Sequence, residues 1–358
     1  MKYSELVKFK SDPKNKLSVY QGAYWGTQRL SSMPEAVKEL VNSNDQYIDI
    51  TAGGGGWPYY WAERGKVAGG NDRSFYAYAM LDSVLCNRTN IEEPRDSWFD
   101  SICDQIHPDN VPPVSGFLSK MQEHEKPQLK LSLQTAGYID GLASKFRNTL
   151  VLSALGKTLM GTFTFRGFCW CNIMANKKTS DTVTPEQLFL KIARQIWKTR
   201  IFGERATRWK ENQVTNFNLF EPGHIQKINW LPNSVCYTDP AWPWSNALSA
   251  GQKNPYVFLT VDLPSVLLQE QQEAPRFWET TTPLEEVLVD LRRWFNEAFE
   301  GGVKYFVLST QDTNNPKPED VYSELSKDFK PIWVGKMDQQ SSFANYTYKD
   351  NFGIFTRS

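Results

Sequence analysis

Apolar positions near the start of the chain follow a helical spacing first and a strand pattern after it. The segment MPEAVKELVNS, residues 33–43, has apolar residues on one helical face and a proline suited to an early helical position. Residues 46–51 form a short β-prone run that ends at the glycines 53–56. A helix is predicted over 57–64 and a weaker strand over 66–72. Strand, glycine turn, helix and strand in this order are typical of the opening of a nucleotide-binding α/β sheet.

Similar patterns return in the last third of the chain. Strands are predicted at residues 234–238, 256–261 and 304–310, an amphipathic helix at 283–299, and a final strand and hairpin over 332–336 and 346–357. In the middle, residues 91–130 are rich in proline and acids, whereas 138–160 and 185–202 have helical spacing. The expected fold class is therefore α/β, with sheet elements on both sides of a helical middle.

Composition changes this picture little. The 358 residues are 40% hydrophobic and 22% charged with no net charge, which indicates a globular protein and neither requires nor forbids a polyanionic partner. The 13 tryptophans favour core packing over ring stacking on a ligand. Five scattered cysteines without a C-x-x-C pair, and only three histidines, predict no metal site and suit a reducing cytoplasm. No apolar run approaches the length of a membrane span.

The glycine turn is a candidate nucleotide site. It reads Asp49-Ile50-Thr51-Ala52-Gly53-Gly54-Gly55, and a turn without side chains lets a cofactor approach the backbone closely. Asp72 lies about twenty residues further on, where an acid can accept hydrogen bonds from ribose hydroxyls. No G-K-[ST] follows, which excludes a phosphate-binding P-loop, but a dinucleotide remains possible on this feature alone.

A second candidate element, Asp239-Pro240-Ala241-Trp242-Pro243, follows the strand at 234–238 directly. Two prolines so close together force the chain out of the sheet, so Asp239 and Trp242 should lie at a strand's carboxyl end. Methylation of an aromatic amine needs hydrogen-bond acceptors for the amine protons and a ring that holds the extruded base. Asp239 and the Pro240 carbonyl offer the acceptors and Trp242 the ring, although a capped tight turn explains the same residues.

Together these segments resemble the DNA adenine-N6 methyltransferases of the alpha group. Asp239-Pro240-Ala241-Trp242 is similar to their Asp-Pro-Pro-Tyr/Phe/Trp motif, and Thr51–Gly55 is similar to their Phe-x-Gly-x-Gly motif. Tyr24–Leu30 resembles their N-terminal cofactor segment. The order of the three motifs is also that of the group. The resemblance implies a Rossmann-like methyltransferase sheet with a C-terminal antiparallel hairpin and an inserted, mostly helical target-recognition lobe.

The resemblance also divides the chain and assigns roles. It implies cofactor-binding and catalytic halves of one methyltransferase domain at residues 1–90 and 231–358, separated by target recognition at 91–230. The cofactor would be S-adenosyl-L-methionine and the partner double-stranded DNA, as in a restriction-modification system. The implied cofactor contacts are Trp25, Gly26, Thr27, Asp49, Thr51, Ala52, Gly53, Gly55, Asp72 and Asp239. The implied catalytic residues are Asp239, Pro240 and Trp242, with Trp242 stacked on the flipped base.

Three departures from the group leave alternatives open. Thr51 replaces phenylalanine, Gln28 replaces lysine and Ala241 replaces the second proline. The first two motivate an alternative: a methyltransferase-like protein that binds nucleic acid without modifying it. Because the Asp-Pro-x-aromatic form is shared more widely, an RNA adenine or cytosine-N4 methyltransferase is a further alternative. A nicotinamide dehydrogenase fits the glycine turn but leaves Asp239–Trp242 unexplained.

The middle of the chain is basic. Between Ser144 and Gln213 there are thirteen lysines and arginines against four acids, with aromatic residues interleaved. Such a region favours salt-dependent contact with phosphates, although a solvated helical face explains it as well. The predicted nucleic-acid-binding residues are Arg166, Lys177, Lys178, Arg194, Lys198, Arg200, Arg205 and Arg208.

Overall fold

The computed structural model describes residues 33–53, 55–72, 75–86, 208–240, 282–312, 316–340 and 347–357, with residue 278 and short pieces at 149–150, 153–154, 190–191, 193–194 and 196–197. The strand predicted at 256–261 lies outside the described residues. The short pieces are helical and fall within the two helices predicted in the middle of the chain.

Within the described residues, seven strands form one sheet in the order β3-β2-β1-β4-β5-β7-β6. They are β1 Gln46–Asp49, β2 Val67–Asn71, β3 Gln213–Thr215, β4 Ser234–Thr238, β5 Tyr305–Gln311, β6 Lys330–Gln340 and β7 Thr347–Thr356. Strands β1 to β5 are parallel, whereas β7 runs antiparallel to both β5 and β6. The predicted α/β class is confirmed: the sheet is mostly parallel and compatible with a Rossmann-like fold.

Helices cover both faces of the sheet. They are α1 Glu35–Asn42, α2 Gly56–Ala62, α3 Phe75–Leu85, α4 Leu284–Glu300 and α5 Pro318–Leu325. The alternation of strand side chains divides the core in two, with Tyr47 and Ile48 on opposite faces. We call the Tyr47 side, which α1 and α2 cover, the first face. Trp57, Trp61, Trp230, Trp278 and Trp294 are all buried, which confirms the prediction of core packing for these five.

Three features differ from the sequence prediction. Strand β3 falls inside the predicted insertion at 91–230, yet it pairs with β2 as an edge strand of the sheet. The buried Asn212 fixes it there, because its side chain accepts from the Ala68 amide (2.9 Å) and donates to the Leu85 carbonyl (3.2 Å). Helix α5 has no counterpart among the predicted elements. Strand β6 is longer than the predicted 332–336, because β7 pairs with it along its length.

Candidate functional site

The carboxyl ends of the parallel strands bring three predicted acids to one edge of the sheet. Asp49 is the last residue of β1, and Asp72 and Asp239 directly follow β2 and β4. Since β1 lies between β2 and β4, the glycine turn is flanked by the other two acids. In an open α/β sheet, ligands bind at this edge, near the point where the strand order reverses.

The glycine turn is shaped by two of these acids. Asp49 is fully buried, and its Oδ1 accepts from the Thr51 amide (3.0 Å) and hydroxyl (3.3 Å). Asp72 Oδ2 accepts from the Gly53 amide at 2.8 Å. Gly53 and Gly55 have φ of +50° and +67°, which side chains rarely tolerate. A Cβ at Gly55 would lie 2.3 Å from Leu81 Cδ2, so packing of α2 against α3 also requires that glycine.

Thr51 joins the glycine turn to the Asp-Pro element. Its hydroxyl oxygen accepts a hydrogen bond from the Asp239 amide at 2.8 Å and lies 3.3 Å from the Thr238 hydroxyl. A backbone bond from the Ile50 amide to the Tyr237 carbonyl (2.9 Å) supports the same junction. The two elements predicted separately from the sequence therefore meet in direct contact.

Asp239 combines solvent exposure of the residue with desolvation of its carboxyl. Solvent reaches the residue, yet the surrounding protein desolvates its carboxyl and raises the pKa to about 6, while a hydrogen bond with Ser309 acts in the opposite direction. Exposure together with desolvation indicates a concave surface, since a carboxyl on a convex surface keeps its hydration. A carboxyl with a perturbed pKa in a cleft is a candidate functional group.

The ends of the neighbouring strands β2 and β3 add residues that the sequence did not single out. The buried Asn71 side chain accepts from the Phe217 amide (3.0 Å) and donates to the Ile50 carbonyl (3.1 Å). The Asn216 side chain donates to the Asp72 carbonyl at 2.7 Å. Phe217 is half-buried and stacks on His224 with ring centroids 5.2 Å apart. The Phe217 ring thus follows β3 and packs on His224 at this edge of the sheet. Asn71, at the end of the strand predicted over 66–72, was the available sequence signal.

Other predicted residues fall in three groups. Ala52 lies buried in the turn, and Pro240 is buried after Asp239. Arg208 forms two hydrogen bonds with Glu211 (2.6 and 2.8 Å), so its charge is already matched, and Arg194 is half-buried in a helical piece. Outside the described residues lie Trp25, Gly26, Thr27, Trp242, Arg166, Lys177, Lys178, Lys198, Arg200 and Arg205.

Among the described residues, no cluster of three or more histidines, cysteines or acids could hold a metal ion. In the same part of the chain, every helix is too short or too polar to span a membrane. No protein-family model matches the chain, and neither a curated protein nor a solved structure matches it significantly.

Proposed function

We propose that this protein is an S-adenosylmethionine-dependent methyltransferase that transfers a methyl group to N6 of adenine in DNA. The observation that carries the proposal is the 2.8 Å hydrogen bond from the Asp239 amide to the Thr51 hydroxyl. This bond joins the candidate cofactor turn directly to the residue that carries the candidate catalytic carboxyl. A methyl donor on the turn and an amine on Asp239 would then be neighbours, as transfer between bound groups requires.

The described residues fit the proposed cofactor. The close backbone turn at Thr51–Gly53 would accommodate its amino-acid end, and Asp72 at the end of β2 would accept hydrogen bonds from its ribose. The donor's sulfonium is positively charged, and the Asp239 carboxyl forms no ion pair with a described lysine or arginine. When bound, the cofactor would supply an electrophilic methyl group.

In the proposed reaction, Asp239 orients the acceptor amine. Its carboxylate accepts one N–H bond, which directs the nitrogen lone pair toward the methyl carbon, and the Pro240 carbonyl is a second acceptor. A cofactor held on the Thr51–Gly53 turn would supply the methyl group to this nitrogen, and its sulfur would keep the electron pair of the broken carbon–sulfur bond. The amine then loses one proton, which Asp239 can receive, because its pKa of about 6 makes it a better base than an ordinary aspartate.

The sheet supports the finer fold assignment over a dinucleotide-binding sheet. A doubly wound dinucleotide fold places its strands in the order 3-2-1-4-5-6. Here β7 runs antiparallel next to β5, and β6 lies outside it. An antiparallel pair at this place supports the C-terminal hairpin that the methyltransferase resemblance implies. The departure at Thr51 also gains an explanation other than loss of function, because its hydroxyl forms the junction with Asp239.

The test is methyl transfer by the Asp239→Ala variant. With tritiated cofactor and unmethylated genomic DNA, transfer should fall by about 10²–10⁴-fold, because the amine loses its acceptor. The fold should persist, since the side chain is exposed and the Asp239 amide remains available to Thr51. Asp320→Ala, which removes an exposed aspartate on α5, is the matched control and should transfer methyl normally. Full activity of Asp239→Ala would reject the proposal.

A further inference from the structure

A second carboxyl lies near Asp239. Strand alternation places Tyr237, Val307 and Phe352 on the first face of the sheet. Ser309 and Asp350 are each two residues from one of these, so their side chains lie on that face as well. The hydrogen bond between Ser309 and Asp239 extends the row to the end of β4. Three polar side chains thus follow one another across β4, β5 and β7.

The strand register sets how close they are. Ser309 pairs with Phe352, and Gln311 pairs with Asp350, so Asp350 is the diagonal neighbour of Ser309. Diagonal neighbours on one face of an antiparallel pair are about 7–8 Å apart, within reach of an electrostatic interaction through the protein interior. Ser309 therefore lies between the two carboxyls.

Asp350 is buried, and one of its carboxyl oxygens lacks a hydrogen bond. The residue is 8% exposed, and its Oδ1 is buried and has no hydrogen-bond partner in the part of the chain that the structure describes. A buried carboxylate oxygen without a hydrogen bond disfavours the charged form, so burial favours the protonated carboxyl. The pKa of Asp350 is raised well above its ordinary value by burial first, then by Asp239 and Asp312.

The other titratable neighbours do not supply a positive charge. They are Tyr237 on β4 and Tyr322 on α5, whose phenols stay neutral because burial raises their pKa values. Within the described residues, no lysine or arginine forms an ion pair with Asp350. Among the described residues, the charges that raise the pKa of Asp350 are therefore those of Asp239 and Asp312, and both are negative.

We propose that Asp350 is a positioning residue that shares one proton with Asp239, so that the pair carries a single negative charge at neutral pH. Two carboxyls that interact electrostatically titrate as a coupled pair, so the first to ionise holds the proton on the other. The role in catalysis rests on the proposed function. A single negative charge matches the one positive charge that passes from sulfonium to amine. When the methylated amine loses its proton to Asp239, the pair holds two protons, and one then leaves to solvent.

The sharing of a proton is testable in the full-length protein without cofactor. Infrared difference spectra recorded across a pH titration should show a carboxyl that is still protonated at pH 7, and Asp350→Asn should remove that signal. Asp239→Asn should lower the pH at which Asp350 ionises by at least about one unit, the coupling that separates two macroscopic ionisations. Asp320→Asn is the matched control and should leave the signal unchanged.

Two outcomes would overturn the inference. One is an unchanged carboxyl signal in Asp350→Asn, and the other is an Asp350 titration that Asp239→Asn does not move. If Asp350→Asn fails to fold, the Asp239→Asn measurement decides, because that position is exposed. If the carboxyls couple but the wild type transfers no methyl group, the proposed function fails and the proton sharing stands. In an active enzyme, Asp350→Asn should lower kcat about tenfold with an unchanged cofactor KM, and Asp350→Glu should restore the pH profile.

Discussion

The two sides of the strand-end edge use the same side chain differently. On the side of β1 and β2, Asp49 and Asp72 both accept hydrogen bonds from amides of the glycine turn. On the side of β4, β5 and β7, Asp239 reaches solvent, and Asp350 has a buried oxygen without a described partner. The carboxyls on the side of β1 and β2 hold the glycine turn in its conformation. The carboxyls on the side of β4, β5 and β7 have oxygens that can still accept hydrogen bonds.

This difference separates carboxylates that hold the backbone in place from carboxyls that can act on a substrate. A carboxylate that accepts backbone amides is stabilised in its charged form, so it can accept further hydrogen bonds but is a poor base. A desolvated carboxyl with few partners is a stronger base and gains more from a ligand that donates to it. On the side of β1 and β2, we therefore expect changes of backbone geometry to reduce stability. On the side of β4, β5 and β7, we expect changes of charge to reduce activity.

The largest effect is expected from Gly55→Ala, which perturbs the shape. The new Cβ would lie 2.3 Å from Leu81 Cδ2 at a φ of +67°, so overpacking and backbone strain should together lower the free energy of unfolding by about 2–4 kcal/mol. Gly65→Ala is the matched control, because its φ is +79° but its Cβ would meet nothing within 4 Å. That variant should lose only about 1–2 kcal/mol. Chemical denaturation measures both, and equal losses would contradict the packing argument.

A smaller effect is expected from Thr51→Val, which breaks the junction between the two sides. The nearly isosteric change leaves the Asp239 amide without its acceptor and should cost about 1–3 kcal/mol of stability. Methyl transfer should fall about tenfold, because Asp239 is no longer held against the turn. Thr356→Val, which removes an exposed hydroxyl bonded to the Lys304 carbonyl, is the control. Wild-type transfer by Thr51→Val would show that the junction is not needed.

The mildest test changes only pH. Because transfer needs the Asp239 carboxylate, the rate should fall about tenfold per pH unit below about 6 and level off above it. The folded pKa is above the ordinary value of 3.8, so ionisation of Asp239 opposes folding as pH rises from about 4 to 6. Asp239→Asn should therefore reduce the fall in stability over that interval. Rates and thermal unfolding measured from pH 4 to 8 check both, and a flat rate profile would count against Asp239.

The sequence was sufficient for the elements whose patterns are local. The glycine turn, the buried run before Asp239 and the amphipathic helix at 283–299 each predict an element that the structure contains. Helix α5 also left a local signal, since Pro318 begins it and Val321, Tyr322 and Leu325 share its buried side. The adjacency of Thr51 and Asp239 follows because the parallel strands β1 and β4 are neighbours and end at one edge of the sheet.

The remaining features depend on contacts distant in sequence. Strand β3 has three residues, too few for a periodic pattern, and the side chain of Asn212 anchors it to β2 and α3. Asp350 gives no local signal either. Its proximity to Asp239 arises only because β7 inserts antiparallel beside β5 in a particular register. A single sequence contains no direct record of such a register.

The most direct test of the central claim is mass spectrometry of nucleosides from the DNA of cells that express the protein. The account predicts N6-methyladenine above background with the wild-type chain and none above background with Asp239→Ala at equal expression. An absence of methylated base with the folded wild type, or equal amounts with both proteins, would contradict it.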